Sequence, residues 1–474
     1  MTELRRAVGL RTVVSTGAGM ALATVCYIAL VEVASYLTGN SAWIAILTSG
    51  LMAVLAGACF GELNSMYPSA AGIKLYIARA FNERTAIIVS GVYVLGQLAI
   101  VGAEVYVLSQ GLALGFPSVP PLLWAAAFLA ILLVLNYRGI QIAGLAQDLI
   151  AYSMFICLAL VSLYGFYRSG FRVPGLFTLG SFDGFLQSVA IGITAFIAFE
   201  WVVTLSEEVV DVKMVPRGMM LSLGVLAIVY SLFTVAMTSL LDRDTLAWVL
   251  EPEGLPIPHL LYGKKLAGTF GFYLMILMAI FASLTSLNAG IMTASRFVYA
   301  MARDWSLPRF LARLHPRYAT PWAAMLAVSA YAVLMVVYGF LTHYVLSMLL
   351  VIAAVECMIY VVMALCVIRL RRLEPQADRG FRVRGGYTVP ILVIAVYGFL
   401  AVMVLFGPVK PGDQVEQRIA LGYIVCLLAV NILYAFTLWP RLRARYRRQA
   451  EARQPRRPRR NPPAGTESPG DPAA

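Results

Sequence analysis

Five glutamates interrupt the long apolar stretches of this sequence: Glu32, Glu62, Glu104, Glu200 and Glu356. A charge at the centre of a bilayer costs roughly 2.5–3.5 kcal/mol on insertion scales, so such a residue faces a polar interior, a partner or the bilayer surface. Glu32 and Glu62 lie near the ends of apolar stretches, where contact with lipid headgroups is the simplest interpretation. Glu104 and Glu200 lie deeper, and each is either a protonated carboxyl satisfied by a neighbouring helix or a functional group.

The backbone of the first apolar stretch is a second source of chemistry. Residues 15–25 read STGAGMALATV, with Gly17 and Gly19 inside a run long enough to be a helix. Glycine in a helix interior costs roughly 0.8–1 kcal/mol relative to alanine, so these glycines either let another helix approach closely or let this helix come apart. A broken helix exposes amides and carbonyls that a zwitterion can bind. The residues alone leave both interpretations open.

Signatures of an enzyme or of a metal site are absent from the sequence. The three histidines (His259, His315 and His343) lie at loop positions, and no H-E-x-x-H, G-x-S-x-G or P-loop pattern occurs. None of the six cysteines belongs to a C-x-x-C or His/Cys cluster. We therefore expect no catalytic residues, no cofactor and no metal site.

Composition identifies an integral membrane protein. The chain is 60% hydrophobic and 13% charged, and its mean hydropathy is +0.80. Residues 13–31 carry no charge and are long enough to span a bilayer, so we expect no cleaved signal peptide. The net charge of +13 includes ten arginines between Arg441 and Arg460, which indicates contact with membrane lipid at the inner surface and not with nucleic acid.

Uncharged apolar stretches between polar segments predict twelve transmembrane helices. The inner loops then hold 19 Lys and Arg residues outside the C-terminal tail, and the outer loops hold seven. This asymmetry predicts a multi-pass protein of the cell (inner) membrane with both termini cytoplasmic. The predicted helices begin near Val13, Ala42, Thr85, Pro121, Ile140, Phe185, Gly218, Leu266, Pro321, Tyr344, Val389 and Ile419.

Four segments, in order along the chain, resemble one known family. Residues 60–81 (FGELNSMYPSAAGIKLYIARAF) are similar to the stretch between the second and third helices of permeases of the amino acid, polyamine and organocation (APC) superfamily. Residues 196–219 (FIAFEWVVTLSEEVVDVKMVPRGM) resemble the sixth helix and its following loop, and residues 288–321 the eighth helix with its SRFVYAMARD run. Residues 369–390 resemble the basic loop after the tenth helix.

The resemblance implies an all-α membrane protein of twelve transmembrane helices. Its LeuT-like fold has a 5+5 inverted repeat with broken helices 1 and 6, plus two further helices. The expected regions are a cytoplasmic N-terminus (1–12), a transporter domain (13–440) and a basic, disordered cytoplasmic tail (441–474). Within the transporter domain we expect the first repeat at 13–165, the second at 185–370, and helices 11 and 12 at 388–440.

The resemblance also implies a substrate site at the two helix breaks. The backbone of residues 16–19 is expected to bind a carboxylate, and the carbonyls of residues 196–199 an amine, with Glu200 following the second break. Glu104 is a candidate for ion coupling or side-chain selection. The predicted substrate-binding residues are Thr16, Gly17, Ala18, Gly19, Phe196, Ile197, Ala198, Phe199 and Glu200.

Two departures from the family pattern matter. This chain has Ala198 at the position where the family usually has a glycine in the sixth helix. Many proton-coupled members carry a lysine in the fifth helix, and here an apolar residue replaces it near Met154. Proton coupling through that lysine therefore cannot be transferred to this chain. Ser283, Thr285 and Ser286 alone do not identify a sodium site, so H⁺ and Na⁺ both stay open as coupling ions.

The sequence thus predicts a secondary active permease that moves amino acids or related organic amines by alternating access. Its two deep acidic groups give a preference for neutral or cationic substrates. The alternatives are an amine or polyamine exchanger of the same fold, or a membrane sensor or channel that has kept the fold without transport.

Overall fold

The computed structural model describes residues 4, 6–34, 41–171, 175–177, 181–242, 244–246, 259–407 and 413–453. These residues form helices and loops and no β-strand; Val8 and Val209 make a single isolated bridge. The predicted all-α class is confirmed for the described part of the chain.

The first half begins with two short helices in succession, separated by two residues. Asn82 caps the N-terminus of the fifth helix by accepting a hydrogen bond from the Thr85 amide (2.9 Å). The positive φ of Gly139 (+105°) allows the tight turn before the seventh. The helices are α1 Leu10–Ala21, α2 Thr24–Val33, α3 Ala42–Met66, α4 Gly72–Ala80, α5 Glu83–Gly115, α6 Pro121–Tyr137 and α7 Ile140–Arg168.

The second half also begins with an interrupted helix. α8 (Phe182–Ile193) continues into two 3₁₀ segments, Thr194–Phe196 and Phe199–Leu205. A kink at Ala267 and Gly268 divides the long helix α10. The remaining helices are α9 Met214–Leu240, α10 His259–Arg303, α11 Trp322–Thr342, α12 Val345–Leu373, α13 Thr388–Phe406, α14 Gln414–Leu433 and α15 Trp439–Arg453.

Ten helical segments of the described chain are long and apolar enough to cross a membrane. The other two predicted spans are also helical but shorter: α6, and the pair α1 and α2 with 12 and 10 residues. At 1.5 Å per residue each half of that pair reaches only about 15–18 Å, so neither crosses the ~30 Å hydrocarbon core alone. The helices begin close to the predicted positions, except that α10 begins at His259, before its kink, and not near Leu266.

The predicted disordered tail is helical at its start. α15 runs to Arg453, whereas residues 454–474 lie outside the described part of the chain. Ala, Arg, Gln and Glu are good helix formers. The Tyr446 hydroxyl accepts a hydrogen bond from the Arg309 amide (2.9 Å), and its ring packs edge-to-face on Trp305 (5.2 Å). Propensity and this docking contact together order the first turns after the last span.

The core lies around α1, which packs against α7, α9 and α10. α3 packs on α8 and α9, and α5 on α11 and α12. Large apolar side chains on α6, α13 and α14 point outward, among them Leu123, Phe399 and Leu433 with about 60% of their surface exposed. An apolar exterior of this extent is typical of helices that contact lipid.

Candidate functional site

The first helix is interrupted at Leu22 and Ala23. α1 ends at Ala21, the Leu22 amide donates to the Ala18 carbonyl (3.0 Å), and Ala23 is extended (φ −61°, ψ 145°) before α2 begins. The predicted stretch, residues 16–22, includes Leu22, but its glycines Gly17 and Gly19 lie inside α1 and are buried. Their role in binding a substrate stays a prediction.

The two glycines of α1 let neighbouring helices approach. A Cβ added to Gly19 would lie 2.1 Å from Nε2 of Gln147 and 2.6 Å from Oγ1 of Thr285. A Cβ added to Gly17 would lie 2.9 Å from Oγ of Ser222. Both distances at Gly19 are far below van der Waals contact, so only glycine allows the neighbouring helices to pack this closely against α1.

Hydroxyl groups satisfy the carbonyls that α1 leaves free at its end. The Ser286 hydroxyl donates to the Met20 carbonyl (3.2 Å), and the Tyr230 hydroxyl donates to the Ala21 carbonyl. On the other side of the interruption no side chain caps α2 in the described residues. The first amides of α2 form the positive end of a helix, which favours an anion.

The second interruption lies at Ile197 and Ala198, within the predicted residues 196–199. Ile197 is extended (ψ 164°) and Ala198 is left-handed (φ 72°) between the two 3₁₀ segments. A left-handed conformation costs an L-residue with a Cβ about 1–2 kcal/mol. The Ala198 amide donates to the Tyr360 hydroxyl oxygen (3.2 Å), which helps to hold this strained position.

The two interruptions lie side by side. The position of an added Cβ at Gly17 is 3.6 Å from the carbonyl oxygen of Phe199. Tyr230 touches both, because its hydroxyl binds the Ala21 carbonyl and its ring packs edge-to-face on Phe196 at 5.7 Å. Tyr230 therefore links the end of α1 to the second interruption.

A cavity is lined by Met20, in the last turn of α1, and by Ala198 of the second interruption. Its volume, about 20 Å³, is room for one water molecule. Ala198 and Glu104 are the predicted site residues that line it, and sequence reasoning missed the others. The lining includes Met20, Gln97, Glu104, Ala198, Trp201 and Ser286.

The two deep glutamates differ in their surroundings. Glu104 is buried at the cavity wall and accepts a hydrogen bond from the Ser283 hydroxyl. Glu200 is fully buried away from the cavity lining and accepts hydrogen bonds from the hydroxyls of Tyr93 and Tyr360 (2.7 Å for Tyr360). Glu104 therefore lines the cavity, whereas Glu200 is enclosed by phenols.

Helix α7 supplies polar contacts that the sequence did not reveal. The Gln147 amide donates to the Ser15 carbonyl (3.0 Å) and to the Thr285 hydroxyl (2.6 Å). Asp148 accepts hydrogen bonds from the hydroxyls of Thr12 (3.0 Å) and Ser15 (2.5 Å). Only apolar Met154 had been singled out in this helix. The adjacent pair Gln147 and Asp148, polar within an otherwise apolar stretch, was the signal that could have found them.

Two buried ion pairs and one partly exposed pair cluster on the side that holds the predicted inner loops. Glu62, expected at the headgroups, is instead buried (1% exposed) and bound by Arg371 at 2.5 Å. Glu208 pairs with buried Arg296, and Glu207 with Arg303 (2.5 Å). The headgroup interpretation of Glu62 is therefore wrong. The local sequence could not show this, because the partner Arg371 lies 309 residues away.

The electrostatics of Glu207 and Glu208 differ. Burial raises the pKa of Glu207, but the Arg303 guanidinium and hydrogen bonds from Ala70 and Ser69 outweigh burial and hold the pKa below its usual value. Burial raises the pKa of Glu208, and Arg296 only partly opposes it. Among the described residues, no group of His, Cys, Asp and Glu side chains could hold a metal ion.

Comparison with known proteins gives a family. The sequence model of a family described as "Amino acid permease" matches residues 9–430. The chain is 30% identical over 336 residues to an uncharacterized transporter of Mycobacterium tuberculosis, covering 69% of this chain and 73% of that protein. It is 25% identical over 419 residues to the large neutral amino acids transporter small subunit 2 of Homo sapiens, covering 83% of this chain and 73% of that protein. It is 24% identical over 420 residues to the Asc-type amino acid transporter 1 of Mus musculus, covering 85% of this chain and 75% of that protein. Since the family match extends over most of the sequence, this chain belongs to the amino acid permease family.

Proposed function

We propose that this amino acid permease carries its substrate by alternating access and binds it between the two helix interruptions. The observation that carries the proposal is the cavity lined by Met20, in the last turn of α1, and by Ala198 of the second interruption. Interrupted helices at corresponding positions of two repeats are a hallmark of transport sites at the bilayer midplane. The LeuT-like 5+5 repeat, twelve spans and cytoplasmic termini expected from the sequence are part of this proposal.

The substrate's two charges match the two kinds of free backbone. Its carboxylate binds the first amides of α2. Residues 16–19 lie in the C-terminal half of α1, on the other side of the interruption. Its ammonium binds the carbonyls of residues 196–199. Partial charges at helix ends attract such groups, and low-dielectric surroundings strengthen that attraction. The predicted set of Thr16, Gly17, Ala18 and Gly19 thereby acts next to the interruption.

Transport requires the cavity to open. A volume of about 20 Å³ holds no amino acid, so this is a closed form of the protein. On the inner side the Glu207 and Glu208 ion pairs close it, together with the backbone bonds between residues 7–8 and Glu208 (2.8 and 2.9 Å). α1, α3, α8 and α9 pack on one another and move together against the remaining helices.

The substrate is a neutral or cationic amino acid. Glu104 is the acid at the cavity wall, and no basic residue is among the lining residues. Two of the relatives are named for neutral amino acid or Asc-type transport, which supports neutral amino acids first. Amine exchange and a membrane sensor or channel are the competing functions.

The test is uptake of labelled amino acids into liposomes that contain the purified protein and excess unlabelled amino acid. Gly290 lines the cavity, and a Cβ there meets nothing closer than 3.9 Å, so the side chain of Gly290→Val begins without a clash and occupies the space of the cavity. We expect this variant to fold and to lose uptake. The matched control is Gly224→Val, which has open space around it.

Equal uptake by wild type and Gly290→Val would place the substrate elsewhere. No uptake of any amino acid by the wild-type protein would contradict the transport proposal. Unitary currents across a planar bilayer would instead support a channel.

A further inference from the structure

The proposed site leaves one deeply buried acid unused. Glu356 lies in α12, has no exposed surface, and is not among the cavity-lining residues. It lies against Glu200, Gln97 and Tyr360, but none of these side chains is in good hydrogen-bond geometry with either of its oxygens. A buried carboxylate without a donor is very unfavourable, so Glu356 carries a proton in this closed form.

Its neighbour Glu200 has the opposite surroundings. The phenols of Tyr93 and Tyr360 each donate a hydrogen bond to one of its two oxygens. An ionised carboxylate is an acceptor only, so two donors suit the charged form. Two adjacent buried carboxyls do not both ionise, so the pair holds at least one proton, and the two phenol donors favour Glu200 over Glu356 as the ionised member.

No cation neutralises this pair. Within the described ranges, no Lys, Arg or His forms an ion pair with Glu200 or Glu356. The titratable groups that face the pair are weak acids from three helices, namely Tyr93 on α5, Cys357 and Tyr360 on α12, and Tyr397 on α13. A proton is thus the cation available to the pair.

The pair is connected to the cavity by two routes. The Tyr360 hydroxyl donates to Glu200 (2.7 Å) and accepts from the amide of left-handed Ala198 (3.2 Å), which lines the cavity. Gln97 lies against Glu356 and also lines the cavity, and both polar atoms of its amide are buried without a partner. Opening the cavity therefore brings water to the residue next to Glu356.

We propose that Glu356 is the proton carrier of this transporter and that Glu200 is the fixed charge that retains the proton while the site is closed. The inference rests on the proposed function, because it needs a site that opens to each side in turn. A hydronium ion on one side gives up a proton, so one of its O–H bonds breaks as the O–H bond of Glu356 forms. When the site opens to the other side, the O–H bond of Glu356 breaks and the proton forms a hydronium ion with water there. Each cycle moves one proton with one substrate.

The test compares two kinds of uptake into liposomes that contain the protein. Counterflow exchanges labelled for unlabelled amino acid and needs no net proton movement, whereas net uptake is driven by a pH gradient, acid outside. In Glu356→Gln we expect counterflow to continue and the stimulation by the gradient to fall to the level seen without a gradient. Glutamine resembles the protonated carboxyl, so this variant is expected to fold and melt like the wild type.

Two controls accompany it. Glu356→Asp keeps a carboxyl and is expected to retain part of the stimulation. Glu416→Gln makes the same change in α14, where Glu416 accepts a hydrogen bond from the Ser347 amide (2.8 Å), and is expected to keep all of it. A pH-sensitive dye inside the liposomes should report acidification during net uptake by the wild type and none by Glu356→Gln.

If the pH gradient still stimulates uptake by Glu356→Gln, the inference is overturned. It is also overturned if wild-type uptake does not depend on the pH gradient while counterflow continues. Absence of counterflow in the wild type contradicts the proposed transport function itself. The two failures are therefore distinguishable in one set of liposomes.

Discussion

The two helix interruptions lie side by side but are built differently. The first, at Leu22 and Ala23, uses ordinary backbone angles, and no charged residue occurs in sequence between Arg11 and Glu32. The second uses a left-handed alanine, and Glu200, Glu207 and Glu208 follow it. Packing against α7, α9 and α10 fixes the first interruption, whereas backbone strain and charge characterise the second. This difference predicts which substitutions each will tolerate.

The largest effect is expected where packing is tightest. Gly19→Ala places a Cβ 2.1 Å from Gln147, whose amide is held by hydrogen bonds to Ser15 and Thr285 and cannot move without losing them. We expect a loss of about 3 kcal/mol in stability, measured as a lower melting temperature in detergent. The control is Gly290→Ala, whose Cβ has space, and it should be neutral or stabilising. Equal melting of the two variants would show that α1 is not packed this closely.

The next effect concerns the hydroxyl that caps the first interruption. Tyr230→Phe removes the donor to the Ala21 carbonyl but keeps the ring that packs on Phe196. A buried carbonyl without its donor costs about 1–3 kcal/mol, so the melting temperature should fall. The matched control is Tyr397→Phe, because the Tyr397 hydroxyl is buried without a partner in the described chain. A larger loss in Tyr397→Phe would refute the capping role of Tyr230.

A change of opposite sign is expected at the second interruption. Ala198→Gly removes the Cβ from a left-handed residue (φ 72°) and should stabilise the protein by about 1 kcal/mol. The same substitution inside a regular helix, Ala289→Gly in α10, should destabilise by a similar amount. Thermal melting of both variants checks the sign, and destabilisation by Ala198→Gly would show that the methyl group contributes more through packing than it costs in strain.

The smallest effect is a pH dependence that only the second region should show. Because the pKa of Glu207 is lowered, its ion pair with Arg303 stabilises the protein above the ordinary carboxyl pKa of about 4.3, and this contribution is lost as the pH falls below it. Glu207 is partly exposed, so the contribution is at most about 1 kcal/mol. The melting temperatures of Glu207→Gln and wild type should differ at pH 7 and converge near pH 3. A gap that widens on acidification would contradict the assignment.

Local patterns in the sequence predict the helices and the second interruption well. Uncharged stretches of about 20 residues correspond to single helices because lipid demands internally satisfied backbone. The first interruption lies at the end of the predicted stretch and not at its glycines, since a glycine such as Gly19 serves close packing as readily as unwinding. The Glu62–Arg371 pair and the Gln147 contacts were missed because their partners lie more than 130 residues away. Contacts of that kind depend on how helices assemble, which no local pattern encodes.

The small cavity has a consequence for any affinity measured on this protein. Under the proposed alternating access, a form with room for one water cannot bind an amino acid, and the ligand binds only the fraction of molecules that is open. If one molecule in about a hundred is open, the apparent dissociation constant is a hundredfold weaker than that of the open site. A substitution that loosens the inner ion pairs, such as Arg303→Gln, would then tighten apparent binding without touching the ligand. The apparent affinity of this transporter would therefore depend in part on the equilibrium between its closed and open forms.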